Sequence, residues 1–184
     1  MLKTLYKVYC LNKPRILVVY YREDDPGKNT SLKLIRKGFA TLVKPFNIKG
    51  KPIVLNPFSN NYLIPKHREY VDKYGLIVVD ASWRKLSIDK FINIKGIHLK
   101  LPPLIPGNPV NYGKPCILSS IEAVASSLYI THYFETYYEL IKLYKWMKTF
   151  DDLNKELLEQ YSRVNNQEEL EKIIKQYWSK ETPC

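Results

Sequence analysis

Short apolar runs alternate with polar, turn-forming segments over the first two thirds of the chain. Residues 15–21 (RILVVYY) and 76–79 (LIVV) are rich in aliphatic and β-branched side chains, which is typical of strands buried on both faces of a largely parallel sheet. Shorter runs at residues 53–56 and 97–101 predict two further strands. The pattern therefore predicts an α/β fold.

Helical periodicity separates the predicted strands. Thr30 or Ser31 is a suitable N-cap for a first helix that stops near Gly38. Residues 66–74 predict a second helix, which ends at Gly75. The alternation of strand and helix agrees with strands that run parallel to one another.

The last third of the chain is predicted to be helical throughout. Residues 119–122 (SSIE) form a capping-box pattern in front of an alanine-rich run, and residues 134–180 predict amphipathic helices. Residues 102–115 are too rich in proline, asparagine and glycine for regular structure, and we expect an ordered functional loop there. An α/β domain with a helical C-terminal extension follows.

The charge balance points to a polyanionic partner. Lysine and arginine outnumber aspartate and glutamate by 29 to 18, for a formal net charge of +11. The lysine-rich, ion-paired surface of a thermophilic protein would give the same balance. No apolar stretch approaches the ~20 residues that span a bilayer, and lysines interrupt the N-terminal segment, so we expect a cytoplasmic protein without a signal peptide.

Several kinds of site are not predicted. Residues 26–31 (PGKNTS) lack the spacing of a triphosphate-binding loop, and no dinucleotide fingerprint opens a helix. The histidines have no ligand spacing, so no metal is expected; they are His67, His98 and His132. The cysteines are odd in number and include no C-x-x-C pair, so reduced thiols are expected; they are Cys10, Cys116 and Cys184.

The strand at residues 76–79 is followed directly by Asp80 and Trp83 (DASW). Open α/β sheets bind ligands beyond the carboxyl ends of their strands, where a carboxylate can accept hydrogen bonds from an amine or a hydroxyl. The alternative is that Asp80 caps a helix or a turn and that Trp83 belongs to the core. Residues 108–113 (NPVNYG) are open to the same two interpretations, a ligand loop or a run of tight turns.

The order of six motifs resembles the small-subunit rRNA aminocarboxypropyltransferase family. The motifs are D-x-x-x-x-T, V-D-x-S-W, H-L-x-L-x-P-L, N-P-V-N-Y-G-x-P, L-S-x-x-E-A and K-W-x-x-x-F-x-D-L-N. They occupy residues 25–30, 79–83, 98–104, 108–115, 118–123 and 145–154. Relatives from eukaryotes have cysteines near residues 24–31, whereas this chain has none there.

The resemblance implies a SPOUT-like fold, with a largely parallel sheet, a C-terminal trefoil knot and a helical C-terminal extension. Residues 1–65 would form an N-terminal α/β subdomain. Residues 66–184 would form the knotted cofactor-binding domain with the C-terminal helices. The long helical C-terminus would cover the surface through which knotted methyltransferases dimerise, so we expect a monomer.

The family's reaction transfers the 3-amino-3-carboxypropyl group of S-adenosylmethionine, as co-substrate, to N3 of a pseudouridine or 1-methylpseudouridine in small-subunit rRNA. Methylthioadenosine is released, and the reaction belongs to ribosome biogenesis. One alternative keeps the fold and the cofactor but transfers a methyl group. A second is a non-catalytic RNA-binding assembly factor, which would account for the charge but not for the two loops.

The resemblance also implies roles for individual residues. Thr30 would hold the amino-acid part of the cofactor, Asp80 its amino group or ribose side, and Trp83 would shield the sulfonium. Asp80 is also the one candidate for a catalytic base. The ribose and adenine would contact Val79, Leu104, Tyr112 and Leu118. Basic residues near the pocket would position RNA phosphates, namely Lys28, Lys33, Arg36, Lys37 and Arg84.

Overall fold

One parallel sheet lies at the centre of the protein, of which the computed structural model describes residues 13–23 and 25–178. Its strands are β1 (Ile16–Tyr20), β2 (Ala40–Leu42), β3 (Ile53–Leu55), β4 (Leu76–Asp80) and β5 (Ile97–Leu99). They are ordered β2-β1-β4-β3-β5, and every neighbouring pair is parallel. The carboxyl ends of all five strands therefore meet at the same edge of the sheet.

Both faces of the sheet are buried because successive side chains of a strand point to opposite sides. Val18 and Val78 belong to the main core, which the C-terminal helices also line. Leu17 and Ile77 point the other way and pack in a smaller cluster with Phe91. This double burial explains why β1 and β4 are almost entirely apolar.

Helices cover the sheet and extend beyond it. The described residues contain α1 (Thr30–Arg36), α2 (Arg68–Tyr74), α3 (Asp89–Ile92), α4 (Ser120–Ile130), α5 (Phe134–Ile141), α6 (Lys145–Tyr161) and α7 (Gln167–Tyr177). Helix α4 packs against β4 and α1 on one side and against α5 and α6 on the other. It therefore joins the sheet to the helical extension, which confirms the predicted order of the two parts.

The predicted strands are all present, and one strand was not predicted. Strand β2 has only three residues, of which Thr41 and Leu42 are exposed. It lies at the edge of the sheet and pairs with β1 through Ile16 and Ala40. An edge strand of this length has too few buried residues to show an apolar run, so the sequence pattern did not reveal it.

The predicted N-cap of the first helix was wrong. Asn29 caps α1, because its side-chain oxygen accepts a hydrogen bond from the Leu32 amide at 2.9 Å, and Thr30 is the first helical residue. The predicted stop at Gly38 is confirmed by its positive φ of 76° directly after the C-cap. The capping box before α4 is confirmed as well.

Strands on both sides of the proposed boundary between residues 65 and 66 belong to the same sheet. Strand β1 from the first segment pairs over its whole length with β4 from the second, from Ile16 opposite Leu76 to Tyr20 opposite Asp80. The two segments thus share one core. The division into two subdomains stays a prediction.

Cys116 departs from the expectation of reduced thiols, because it is disulfide-bonded. It lies in the loop before α4 and has a positive φ of 69°. Cys10 and Cys184 lie outside the described residues. The prediction of a free thiol is therefore wrong for Cys116.

None of the helices in the described residues has the length and apolar character that a membrane span requires.

The buried ring of His67 makes the stability of the protein depend on pH. Its ring is buried, its Nδ1 accepts a hydrogen bond from the Ile64 amide at 3.1 Å, and burial, aided by the charge of Lys66, lowers its pKa from 6.5 to about 4. The folded state thus disfavours the protonated ring. This contribution to stability is complete above pH 6.5 and is lost as the pH falls toward 4.

We expect the free energy of unfolding to fall by about 1–2 kcal/mol between pH 7 and pH 5 on account of His67. Urea unfolding at the two pH values measures this loss, and His67→Gln should shrink it because the titrating group is gone. His132→Gln, at an exposed histidine, is the matched control. An unchanged pH dependence in His67→Gln would contradict the assignment.

Candidate cofactor and RNA site

Asp80 stands at the carboxyl end of β4 and is 6% exposed. Its Oδ1 accepts a hydrogen bond from Asn29 Nδ2 at 2.8 Å, and its Oδ2 accepts one from Ser120 Oγ at 2.7 Å. These three residues form what we call the Asp80 cluster. It ties the end of the central strand to the first residues of α1 and α4. The carboxylate therefore binds side chains at the starts of two helices and caps neither a helix nor a turn.

Asn29 is held in one orientation by its other partners. Its Oδ1 accepts from both the Leu32 amide and Ser31 Oγ, so its amide nitrogen must face Asp80. Thr30, the next residue, accepts a long hydrogen bond of 3.4 Å from the Ile121 amide at the start of α4. The beginnings of the two helices are thereby brought together beside the carboxylate.

Trp83 borders the same cluster. It begins a short 3₁₀ turn, its side chain is 41% exposed, and its Nε1 donates to the Leu118 carbonyl at 3.0 Å. The interpretation of Trp83 as a core residue is therefore wrong. Part of the indole is exposed, while its nitrogen is fixed to the end of the loop that precedes α4.

Glu23 anchors the turn that carries Trp83. Its Oε2 accepts from the Ser82 amide at 3.1 Å, and its Oε1 pairs with Lys90 Nζ at 2.6 Å. The hydrogen bond from Lys90 is the main reason that the pKa of Glu23 lies below its ordinary value. The turn that carries Trp83 is consequently anchored by an ionised carboxylate.

The irregular segment before α4, which we call the clamped loop (residues 102–118), is held by Glu122. The side chain of Glu122 is completely buried. It accepts from the Gly107 amide (2.7 Å), from the amide and Nδ2 of Asn108 (3.0 and 2.8 Å), and from the amide and Oγ of Ser119 (2.7 and 2.6 Å). One carboxylate thus fixes the middle and the end of the loop.

Helix α6 holds the loop from the other side. Asn154, fully buried, accepts from the Ile105 amide at 2.8 Å and donates to the Ile105 carbonyl at 2.7 Å. Tyr161 donates to the Pro103 carbonyl at 3.1 Å. Gly107 approaches so closely that a Cβ would lie 2.5 Å from the Phe150 amide nitrogen. The loop is ordered because buried polar groups on two helices satisfy its backbone.

The structure brings most of the predicted cofactor residues together. Thr30, Asp80 and Trp83 are linked through Asn29 and the start of α4, as described above. Leu118 carries the carbonyl that binds the indole, and Leu104 is joined to the end of the same loop by a 2.9 Å bond from the Cys116 amide. Val79 is half-buried on β4.

Tyr112 is placed differently from the other predicted cofactor residues. It lies in the series of turns between Asn108 and Lys114, and its side chain is 59% exposed. The segment is a run of turns that Glu122 fixes at Asn108, and its interpretation as a ligand loop stays a prediction. A contact of Tyr112 with adenine stays a prediction.

The predicted RNA residues lie at the surface near the cluster. Four of them are exposed, namely Lys28, Arg36, Lys37 and Arg84. Lys33 is half-buried, and its ammonium lies 5.2 Å from the centre of the Tyr144 ring. The described residues contain no group of three or more histidine, cysteine or acidic side chains arranged to hold a metal ion.

Sequence reasoning missed three members of this arrangement as site residues: Asn29, Ser120 and Asn154. Asn29 offered a local signal, since asparagine ranks with serine and aspartate as an N-cap. Glu122 was identified for its capping box, but its reach to residues 107 and 108 depends on the fold. Asn154 is the last residue of the sixth motif, but its contact with the loop depends on the fold.

The parallel sheet, with a buried carboxylate at its carboxyl edge under a clamped loop, defines an α/β protein of the class that binds its ligand at this edge. A family model described as "Ribosome biogenesis protein, C-terminal" matches residues 53–178. The 16S rRNA aminocarboxypropyltransferases of Methanocaldococcus jannaschii and Methanothermobacter thermautotrophicus are similar to this chain. They are 35% and 43% identical to it, over 92% and 88% of this chain and 99% and 97% of theirs.

A solved structure gives the same result. The structure of the SAM-dependent rRNA:acp-transferase Tsr3 from Vulcanisaeta distributa superposes with a TM-score of 0.80 at 38% identity, over 89% of this chain and 90% of that one. The chain belongs to the 16S rRNA aminocarboxypropyltransferase family of enzymes.

Proposed function

We propose that this protein transfers the 3-amino-3-carboxypropyl group of S-adenosylmethionine to N3 of a pseudouridine or 1-methylpseudouridine in small-subunit rRNA and releases methylthioadenosine. The observation that carries the proposal is the meeting of Asp80, Trp83 and the clamped loop at the carboxyl edge of the sheet. It occurs in a chain of the aminocarboxypropyltransferase family. The enzyme would act in ribosome biogenesis in the cytoplasm.

The side chains of this site suit the charged groups of S-adenosylmethionine. The molecule carries an ammonium and a sulfonium, for which a buried carboxylate and the face of an indole are suitable partners. Thr30 would contact the amino-acid part, and Val79 would offer its carbonyl to the ribose. The backbone of Leu104, Tyr112 and Leu118 would surround the adenine.

The reaction is a displacement at the methylene carbon next to sulfur. The bond from N3 to this carbon forms, the bond from the carbon to sulfur breaks, and the electron pair stays on sulfur in neutral methylthioadenosine. The chain's task is orientation, because the methylene and not the methyl must face the base. A loop fixed by Glu122 and Asn154 suits this task, since their hydrogen bonds hold its backbone in place.

Asp80 is better placed to bind and position than to remove the N3 proton. Both of its oxygens already accept hydrogen bonds from the protein. The imide proton of the base is acidic enough for solvent to accept it near neutral pH. Among the described residues Asp80 stays the candidate base, but we assign it mainly to binding the cofactor.

Phosphates of the rRNA would be held by the basic residues around the cluster. These are Lys28, Lys33, Arg36, Lys37 and Arg84, which we propose to position the backbone without selecting its sequence. Lys28 and Lys33 flank Thr30 along the chain, so RNA held there would pass directly beside the cofactor's amino-acid end.

We also propose that the chain forms the trefoil knot that the family resemblance implies and that it is a monomer. The parallel sheet and the clamping of residues 102–118 between α4 and α6 support a threaded loop. Static light scattering measures the mass in solution. A mass twice that of one chain would contradict the monomer.

Trp83→Ala should weaken S-adenosylmethionine binding about tenfold, because the variant loses an aromatic face beside a cation. The free energy of unfolding should change little, since the indole is 41% exposed. Calorimetric titration and thermal unfolding measure the two effects. Phe46→Ala, at an aromatic side chain that is 78% exposed, is the control for loss of a surface aromatic residue. A lower melting temperature with intact cofactor affinity would contradict this role of Trp83.

The decisive experiment supplies S-adenosylmethionine labelled separately in the carboxyl carbon or the methyl group, together with unmodified and N1-methylated small-subunit rRNA. Carboxyl label in the RNA and methylthioadenosine in solution support the proposal. Methyl label in the RNA with S-adenosylhomocysteine would make the protein a methyltransferase. RNA binding without any affinity for S-adenosylmethionine would make it an assembly factor.

A further inference from the structure

The connection between α5 and α6 carries a concentration of positive charge that the predicted RNA residues do not include. Lys142 is the C-cap of α5, Lys145 is the first residue of α6, and Lys148 follows one turn later on the same side. All three are exposed. Residues 142–150 contain these three lysines and no acidic residue.

Tyr144 joins this connection to α1. The Lys33 ammonium lies 5.2 Å from the centre of the Tyr144 ring, and the ring stacks on Trp146 with 4.9 Å between centroids. Burial raises the pKa of Tyr144, and the nearby positive charge of Arg36 opposes this rise. Two basic segments distant in sequence therefore meet at one aromatic pair. We call the resulting patch the junction surface; it comprises Lys33, Arg36, Lys142, Tyr144, Lys145 and Lys148.

None of the cations of the junction surface forms an ion pair within the part of the chain that the structure describes. The ion pairs in the described part of the chain involve Lys13, Arg68, Lys90 and Arg163, and none of the five junction cations takes part in them. Five unpaired cations on one patch repel one another, and a polyanion relieves this repulsion while releasing its own counterions. The chemistry of the patch therefore favours a phosphate backbone.

The junction surface is continuous with the Asp80 cluster. Helix α1 begins at Thr30 beside the cluster, and Lys33 and Arg36 follow it by three and six residues, which is roughly 5–10 Å along the helix axis. A strand that leaves the cluster along α1 would meet Tyr144 and then the lysines at the start of α6. Neighbouring nucleotides of one RNA can span such a distance.

We propose that the junction surface binds the phosphate backbone of small-subunit rRNA next to the nucleotide at the Asp80 cluster. This inference rests on the proposed function for the identity of the RNA. It assigns Lys142, Lys145 and Lys148 of the helical extension a role in binding the substrate. The stacked rings of Tyr144 and Trp146 keep the two basic segments next to each other.

The test compares two double variants of equal charge. Lys145→Gln with Lys148→Gln removes two junction cations, while Lys49→Gln with Lys51→Gln removes two exposed cations before β3, at the amino edge of the sheet. Binding of a small-subunit rRNA transcript is measured at several salt concentrations. We expect the junction variant to bind about 5- to 30-fold more weakly at low salt, with a log–log salt slope smaller by about 1–2.

Equal losses in the two double variants would overturn the inference, because net charge alone would explain them. Lys145→Arg with Lys148→Arg should restore most of the affinity, since phosphate accepts hydrogen bonds from either cation. Affinity for S-adenosylmethionine and the melting temperature are measured on the same samples, and a loss of either in the junction variant would overturn the inference as well. RNA affinity is measured without the transfer reaction. A failure of this inference can therefore be distinguished from a failure of the proposed function.

Discussion

Glu122→Ala is expected to lower the free energy of unfolding by about 3–5 kcal/mol. The carboxylate is completely buried and accepts from groups of Gly107, Asn108 and Ser119. Alanine would leave these donors without a partner in the interior and would also remove the capping box of α4. The substitution therefore destabilises the loop and the helix that follows it at the same time.

Urea denaturation measures this loss, and hydrogen exchange of the Gly107 and Asn108 amides locates it. Glu122→Gln should fall between wild type and alanine, because one amide nitrogen replaces an acceptor among several donors. Glu135→Ala, at an exposed position in the first turn of α5, is the control for loss of a glutamate. A cost below about 1 kcal/mol for Glu122→Ala would show that water can replace the carboxylate and that the loop is not held by it.

Asp80→Asn is expected to weaken binding of S-adenosylmethionine about 10- to 100-fold and to lower the transfer rate at least as much. The substitution keeps the size of the side chain but removes the negative charge and one acceptor. The amide oxygen can still accept from Asn29, while the amide nitrogen can donate to Ser120 Oγ, because a hydroxyl is also an acceptor. We therefore expect the ligand to lose a charged partner while the two hydrogen bonds of the cluster are kept.

Comparison of two ligands separates the roles of Asp80. Methylthioadenosine lacks the amino-acid group and the sulfonium charge. If Asp80 binds those groups, Asp80→Asn lowers the affinity for S-adenosylmethionine only. A carboxylate on the ribose side would weaken both ligands. Ser120→Ala removes one hydrogen bond of the cluster and keeps the charge, which makes it the control for the geometry of Asp80. Unchanged affinity for both ligands in Asp80→Asn would contradict a binding role.

Local patterns determined those parts of the fold that depend on nearby residues. The apolar runs of β1 and β4 identify doubly buried strands because both faces of a parallel sheet exclude water. The capping box at residues 119–122 starts α4 because its hydrogen bonds lie within one turn. Asp80 and Trp83 could be placed at the carboxyl edge of the sheet because they directly follow β4.

The parts that were missed depend on partners distant in the chain. Strand β2 is defined by its pairing with β1, not by an apolar run of its own. Asn154 contacts Ile105, which lies 49 residues earlier in the chain, and Gly107 is required because the Phe150 backbone is adjacent. None of these relations changes the local composition, so hydrophobic periodicity does not reveal them.

The sequence by itself determined the class of fold, the family resemblance and most residues at the edge of β4, because each is expressed in local periodicity or in ordered motifs. Only the tertiary structure decided that Asn29 and Ser120 share Asp80, that Glu122 and Asn154 clamp one loop from two helices, and that Tyr144 brings two basic segments together. The physical reason is that hydrogen bonds and charge interactions act over a few ångströms in space, whereas their partners here are tens of residues apart along the chain.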